Sequence, residues 1–475
     1  MSCCFISVIS FLVWLNQTRD FCFNNDAHVL AHAACKTLVR IESSRRVTCA
    51  FKSTSKQLTR AQKREEQNIG CGGASLFADW RIVEVAQGSG SGPQRRHNLY
   101  PDEIMRLNTI STFAIIMLVS TRCSAQDWSS LWKSYCAAFM DNQIRVIDHD
   151  AGDRTTSEGQ AYAMFFALVA NDRPRFDGLL RWTEGNLASG DLATHLPAWL
   201  WGKGPNNKWG VLDGNSASDA DVWIAYSLLE AGAAWKEPRY TATGAALAKR
   251  IAAEETAQIP AFGTALLPGA KGFHNGDVYR LNASYVPLQI FLGLAHEQPD
   301  GPWRQIANQI PAVVQGSSPN GFASDWAEFR PGKGLTPVSP GSYDAIRVYL
   351  WAGMLDSGTA ERNSILKSLS GMARALYTNA IPPAKVKADG TVEDPKSPVG
   401  FSAALLPYLE ALGESNLETE QMSRVQSEFN SKNGLYGNPG RYYDQNLVLF
   451  GLGSKLHQFW FDLQGRLSTK WQQSR

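Results

Sequence analysis

Three acids stand at points where the chain is about to enter a helix. Thr155-Thr156-Ser157-Glu158-Gly159-Gln160 leads into an apolar stretch. Ser157 is the expected N-cap there, with Gln160 three residues on to complete a capping box. Ala217-Ser218-Asp219-Ala220-Asp221 repeats the arrangement, with Ser218 as cap and Asp221 in the reciprocal position. Gly341-Ser342-Tyr343-Asp344 opens a third such stretch, with Ser342 before the turn. A single first-turn acid complements the helix dipole by only about 0.3–1 kcal/mol, and taken alone each reads as that.

Two further features favour chemistry. The stretches behind the three acids are strongly apolar, so they are expected to be inner helices whose ends are partly buried. Bulky rings also flank the same segments: Trp199, Trp201 and Trp209 before Asp219, and Tyr343 beside Asp344. Sugar faces stack on aromatic rings, and a glycosidic bond yields to an acid paired with a base. The pattern implies carbohydrate cleavage by Glu158, Asp219 and Asp344.

The placement has a cost. A helix N-terminus favours the ionised carboxylate, whereas a general acid must hold its proton near neutrality. Glu158 is therefore expected to be raised above an ordinary glutamate by burial against aromatics and by repulsion from Asp219.

Metal chemistry is disfavoured. Asp219-x-Asp221 has the spacing of a metal-binding acid pair, but helical residues two apart point about 200° from each other. Asp148-His149-Asp150 with Asp153 reads as a solvated turn, and no Cys/His spacing suggests zinc. Neither a metal nor a cofactor is expected.

Apolar residues recur at helical spacing over 127–143, 158–171, 174–187, 219–235, 239–256, 284–297, 302–315, 344–356, 360–377, 399–411, 418–429 and 443–453. Strand-like alternation is scarce, and Gly272 to Leu281 is the best candidate for a short hairpin. An all-α single domain follows, either a closed toroid of helical hairpins or a stack of repeats. No repeat of fixed period is visible.

The 475 residues divide near residue 105. Residues 1–104 hold 13 Lys+Arg against 9 Asp+Glu and six of the eight cysteines; the rest is slightly acidic and has no cysteine after Cys136. No basic face implies nucleic acid or anionic membrane as partner. From Met105, Arg106 supplies a positive charge and Ile110 to Val119 an uncharged apolar run. Cys123-Ser124-Ala125 then offers a cleavage site before Gln126, the pattern of a secretory signal over 105–125. The apolar run is well short of the roughly 20 residues that span a bilayer. The expected organisation is a non-native or disordered extension at 1–104, the signal, and a domain at 126–475. A rival is an anchor built on Phe5 to Leu15.

Ala217-Ser218-Asp219-Ala220-Asp221-Val222-Trp223-Ile224-Ala225-Tyr226-Ser227-Leu228-Leu229-Glu230-Ala231, with Trp235 beyond, resembles the diagnostic pattern of glycoside hydrolase family 8. Ser157-Glu158-Gly159-Gln160, Ser342-Tyr343-Asp344-Ala345-Ile346-Arg347, Leu196 to Lys203 and Pro398 to Ala403 extend the similarity, which runs from about Trp128 to Trp471. The nearest branch is the periplasmic endoglucanases encoded beside bacterial cellulose synthase.

The resemblance implies an (α/α)6 barrel with a long cleft, cutting β-1,4-glucan internally with inversion. It implies Glu158 as general acid, Asp344 as base and Asp219 as the acid holding the distorted sugar. Trp199 is then a stacking platform, with Trp201 as a further binding residue, while Tyr343 and Arg347 support the base and its water. The implied partners are a β-1,4-glucan chain and, as a candidate, the cellulose synthase complex. A monomer, exported to the periplasm or beyond, is expected. The rivals are a non-catalytic glucan-binding component, or a chitosanase, lichenase or xylanase of the same family.

Overall fold

The computed structural model describes residues 127–473; the expected signal at 105–125 and the extension at 1–104 lie outside them. The described chain is dominated by helices: α1 (Trp128–Phe139), α2 (Ser157–Val169), α3 (Arg173–Leu187), α4 (Ser218–Trp235), α5 (Pro238–Glu254), α6 (Leu288–Glu297) and α7 (Trp303–Ser317). After these come α8 (Ala345–Gly353), α9 (Arg362–Ser368), α10 (Gly371–Thr378), α11 (Val399–Leu412), α12 (Ser415–Ser427), α13 (Tyr442–Lys455) and the short α14 (Lys470–Gln473).

Sequence pattern sorts the long helices into two rings. In α2 every residue but Glu158 is buried, and α4 and α11 are buried along nearly their whole length. Such all-round burial demands neighbours on every side. By contrast α7 buries Ile306, Ala307, Ile310, Val313 and Val314, one face at spacings of three and four. The inner ring is α2, α4, α6, α8, α11 and α13, with successive members in contact. Phe450 on α13 meets Tyr162, Phe165 and Phe166 on α2, with ring centroids 5.0, 5.5 and 4.6 Å away, and this closes the ring.

Each inner helix packs against an outer one: α2 on α3, α4 on α5, α6 on α7, α8 on α9, α11 on α12 and α13 on α1. The architecture is the expected (α/α)6 barrel, and no stack of repeats. Its centre is a filled core, where Trp223 and Trp351 lie 5.4 Å apart and both contact Phe450. Gly451 lets α13 and α11 touch; a Cβ there would lie 2.0 Å from the Ala403 carbonyl oxygen.

Several expected helices are shorter. The stretch 360–377 is two helices, because outside partners take the bonds that would join them. Gly371 N–H donates to the Gly321 carbonyl at 2.9 Å, and the Tyr408 hydroxyl donates to the Leu369 carbonyl at 2.8 Å. The stretch 284–297 starts at Leu288 because Pro287 has no N–H and disfavours helix at Val286. Ala283–Tyr285 ahead of it is a 3-10 turn.

Short strands cluster where the inner helices begin. β1 (Thr155–Thr156), β2 (Leu200–Lys203) and β3 (Trp209–Asp213) form one antiparallel sheet, with Thr156 opposite Leu200. β4 (Thr256–Ile259) pairs with β5 (Gly263–Leu266). The hairpin expected at 272–281 is present as β6 (His274–Asn275) and β7 (Val278–Leu281). Later chain adds β8 (Ala327–Arg330) and β9 (Gly334–Pro337), making four strands. No described helix is long and apolar enough to cross a membrane.

Candidate active site

Glu158, Asp219 and Asp344 stand at the starts of α2, α4 and α8, and one side chain joins all three. Arg347, one turn into α8, is 1% exposed. Its Nη1 donates to Glu158 Oε2, to Asp219 Oδ2 at 3.1 Å and to the Tyr162 hydroxyl at 2.9 Å. Its Nη2 donates to Asp344 Oδ1 at 2.7 Å and to Ser284 Oγ at 3.2 Å. The Tyr285 ring stands 5.8 Å from the guanidinium carbon. A buried guanidinium is strongly favoured beside carboxylates, and its flat fork sets them at fixed directions.

The caps differ from those the sequence predicts. Thr156, not Ser157, caps α2: its hydroxyl accepts Gly159 N–H at 3.1 Å. Pairing with β2 holds Thr156 extended, at φ −108° and ψ 151°, which is the geometry a cap needs. Gln160 is drawn elsewhere, accepting Val146 N–H at 2.8 Å, so no capping box forms. Ser218 is the first residue of α4 and makes no capping bond. The α8 end is held from a distance, with Asp325 Oδ1 accepting the N–H groups of Ser342 at 2.7 Å and Ala345 at 2.8 Å. Gly159 is required beside Glu158, since a Cβ would meet the Tyr442 hydroxyl oxygen at 2.3 Å.

The three acids sit in unequal surroundings. Asp219 is 2% exposed and also accepts its neighbour Ala220 N–H at 2.8 Å. Glu158 and Asp344 keep 22% and 29% of their side chains open. Burial pushes the Glu158 carboxyl up to about 7, against the opposing pull of Arg347; repulsion from Asp219 and Asp344 adds to the rise. The expected direction for Glu158 is met with burial as the main cause, although the sequence did not foresee Arg347 opposing it. Asp219 is raised too, by burial first. Asp344 Oδ2 accepts the Asn282 amide at 3.0 Å.

Aromatic residues border the acids unevenly. Trp199 accepts Ser157 N–H at its carbonyl, 3.0 Å away, so it adjoins the start of α2. Trp201 stacks on Trp209 at 5.1 Å, meets Trp182 edge-on, and has Arg145 5.0 Å from its ring. Trp209 is the more open ring, at 46%. Tyr343 is 47% exposed and its carbonyl accepts the Tyr443 hydroxyl at 2.5 Å. In the Asp148–Asp153 turn, His149 Nδ1 bonds Asp153 Oδ1 at 2.6 Å on the surface.

Sequence reasoning missed Asn282, Ser284, Tyr285, Asp325 and Tyr443. Their only sequence signal is position: Asn282 to Tyr285 follow the expected hairpin directly.

Known proteins resemble this chain in sequence and fold. The endoglucanase of Salmonella typhi is 43% identical over 366 residues, 76% of this chain and 95% of that protein. The endoglucanase of Escherichia coli K12 is 41% identical over 380 residues, 77% of this chain and 98% of its own length. The crystal structure of an endo-1,4-D-glucanase from Vibrio fischeri ES114 superposes with a TM-score of 0.67 at 40% identity. That match covers 72% of this chain and 99% of the other. The model of "Glycosyl hydrolases family 8" matches residues 105–457. With three acids on one guanidinium inside an (α/α)6 barrel, the chain belongs to glycosyl hydrolases family 8.

Proposed function

We propose that this chain is an endo-β-1,4-glucanase that cuts cellulose-type glucan with inversion at the anomeric carbon. Glu158 donates the proton to the leaving oxygen. Asp344 takes a proton from the attacking water. Asp219 holds a hydroxyl of the sugar at the cleavage point. The names of the relatives above support the substrate class. The observation that carries the assignment of roles is the shared Arg347, whose guanidinium donates to all three acids and gathers them at one point.

Arg347 also makes physical sense of an acid beside a cation. While Glu158 is protonated, Arg347 compensates the negative charges of Asp219 and Asp344. As the proton leaves for the glycosidic oxygen, charge develops on Glu158, and the bond from Nη1 strengthens. Such a contact stabilises the transition state more than the ground state. On the other side, Arg347 Nη2 and Asn282 fix both oxygens of Asp344 while leaving lone pairs for a water. Inversion requires room for that water between acid and base, about 6.5–9.5 Å between carboxyls.

Trp199, Trp201 and Tyr343 are proposed to bind the glucan, Trp199 next to Glu158 and Tyr343 next to Asp344. Export through the 105–125 segment, action in the periplasm or outside, a link to cellulose synthesis and a monomeric state belong to the same proposal. They rest on the sequence features given first. The test is product analysis on carboxymethylcellulose and on soluble cello-oligosaccharides. A rapid viscosity fall with α-anomers as first products is expected. First products in the β configuration would overturn the inverting roles, and a preference for chitosan, mixed-linkage glucan or xylan would overturn the substrate.

A further inference from the structure

Behind Asp219 lies a second pair of acids that the proposed reaction does not use. Asp221, on the opposite side of the first turn of α4, is fully buried, as is Glu255 at the end of α5. The two carboxyls face each other within hydrogen-bonding reach. Neither oxygen of Asp221, nor Oε2 of Glu255, receives a hydrogen bond from any donor among the described residues. Glu255 Oε1 accepts the Ser216 hydroxyl at 2.5 Å, and Ser216 Oγ accepts Ala270 N–H at 3.0 Å. Two ionised carboxylates in dry contact without a donor are prohibitively unfavourable, so a proton has to lie between them.

The segments held by this network are those that fix Asp219. Ser216 lies in the loop entering α4, Asp221 in the first turn of α4, Glu255 at the close of α5, and Ala270 beyond β5. Two backbone bonds tie the same segments: Ser218 N–H to the Pro268 carbonyl at 3.1 Å, and Leu267 N–H to the Glu255 carbonyl at 2.7 Å. We infer that Asp221 and Glu255 share one proton and together act as the positioning pair for Asp219, holding the start of α4 in place. This rests on the reading of Asp219 as the carboxylate that holds the sugar.

The shared proton makes the clamp sensitive to pH. The charged groups bearing on the pair are Asp219 on α4 and Glu254 on α5, both acidic. Glu254 is partly compensated by Arg250 on its own helix. Burial, then repulsion from its acidic neighbours, raises Asp221, and burial raises Glu255 to about 8. A carboxyl raised on folding supports the fold below its unfolded value and loses that support progressively as pH climbs from there through the raised value. The shared proton is therefore held at neutrality, and its loss at higher pH would leave a second buried negative charge beside Asp219.

The test uses Glu255→Gln and Glu255→Ala in the full chain. The Gln amide can donate to Asp221 while its oxygen accepts from Ser216, which reproduces the shared proton without titrating. Glu255→Ala is expected to lower kcat about 10- to 100-fold with KM changed less than about threefold; Glu255→Gln should keep kcat within about threefold at neutral pH. The melting temperature of the parent protein should fall progressively as pH rises from the ordinary carboxyl range to about 8, and that fall should be smaller in Glu255→Gln. A Gln variant as impaired as the Ala variant, or one whose melting temperature falls with pH as steeply as the parent's, would overturn the proposal. If Glu255→Ala does not fold, the comparison of Glu255→Gln with the parent still decides. Failure of the catalytic reading is separable, because Asp219→Asn would then keep its activity while the Gln variant still showed the shallower fall.

Discussion

Arg347 Nη1 donates directly to Glu158 Oε2, yet the Glu158 carboxyl is raised to about 7 rather than lowered. Burial outweighs the cation, and the two other acids on the same guanidinium consume part of its charge. Opposition of this kind lets an acid sit beside arginine and still carry a proton.

Replacing Glu158 by Gln should lower kcat by about 10²–10⁴-fold on natural glucan, the usual worth of a positioned acid. Binding of cello-oligosaccharides, measured by calorimetry, should persist. With an aryl leaving group that departs without protonation the loss should shrink strongly. An equal loss on both substrates would point away from proton donation.

Arg347→Lys keeps a charge but loses the two-sided fork. One ammonium cannot serve Glu158 and Asp219 on one side and Asp344 and Ser284 on the other. A kcat loss of about 10²–10³-fold is expected, comparable to removing a preorganised donor. Arg347→Met should further raise the Glu158 carboxyl, because the lowering influence is gone. Steady-state kinetics across pH would show this as an alkaline limb moved upward.

Asp325 holds the start of α8 from another loop, and its own carboxyl is raised to about 6, chiefly by burial. Asp325→Ala should cost about 0.5–2 kcal/mol of stability, the range for a lost cap. It should also reduce kcat more than it raises KM, since Asp344 is displaced rather than removed. Denaturant melts and kinetics on the same variant check both halves.

Much of the architecture is legible in the sequence. Continuous apolar text marks the inner helices, one-sided text marks the outer ones, and the acids mark three inner helix starts. Ring closure is not legible, because it depends on Phe450 reaching α2 across most of the domain. The caps differ from the sequence pattern for a local reason. Thr156 and Ser157 are chemically equivalent as caps, and only pairing of Thr156 with Leu200 selects between them. Asn282 and Asp325 are invisible in the sequence because each reaches the start of α8 from a distant loop, Asn282 at the Asp344 carboxylate and Asp325 at the Ser342 and Ala345 N–H groups. Glu255 was missed likewise: nothing in its neighbourhood of sequence shows that it meets Asp221. Arg347 was found only through the family resemblance, which implied support for the base and not its contact with Glu158 and Asp219.

A separate buried acid tests the electrostatics away from the acids on Arg347. Glu230 on α4 is 9% exposed and is raised to about 8, with burial as the leading cause. A raised carboxyl destabilises the fold as pH rises from its unfolded value through the raised one. Glu230→Gln should therefore raise the melting temperature at about pH 9 more than at about pH 5. An equal change at both would mean that Glu230 does not titrate in that window.

The most direct test of the account is the titration of Glu158 itself, followed by carboxyl NMR or difference infrared against Glu158→Gln, beside the pH dependence of kcat/KM. A midpoint of about 7 is expected, coincident with the alkaline limb of activity, so that activity is lost as the proton leaves. A Glu158 carboxyl that ionises near the ordinary glutamate value, while the enzyme remains fully active at neutrality, would contradict it.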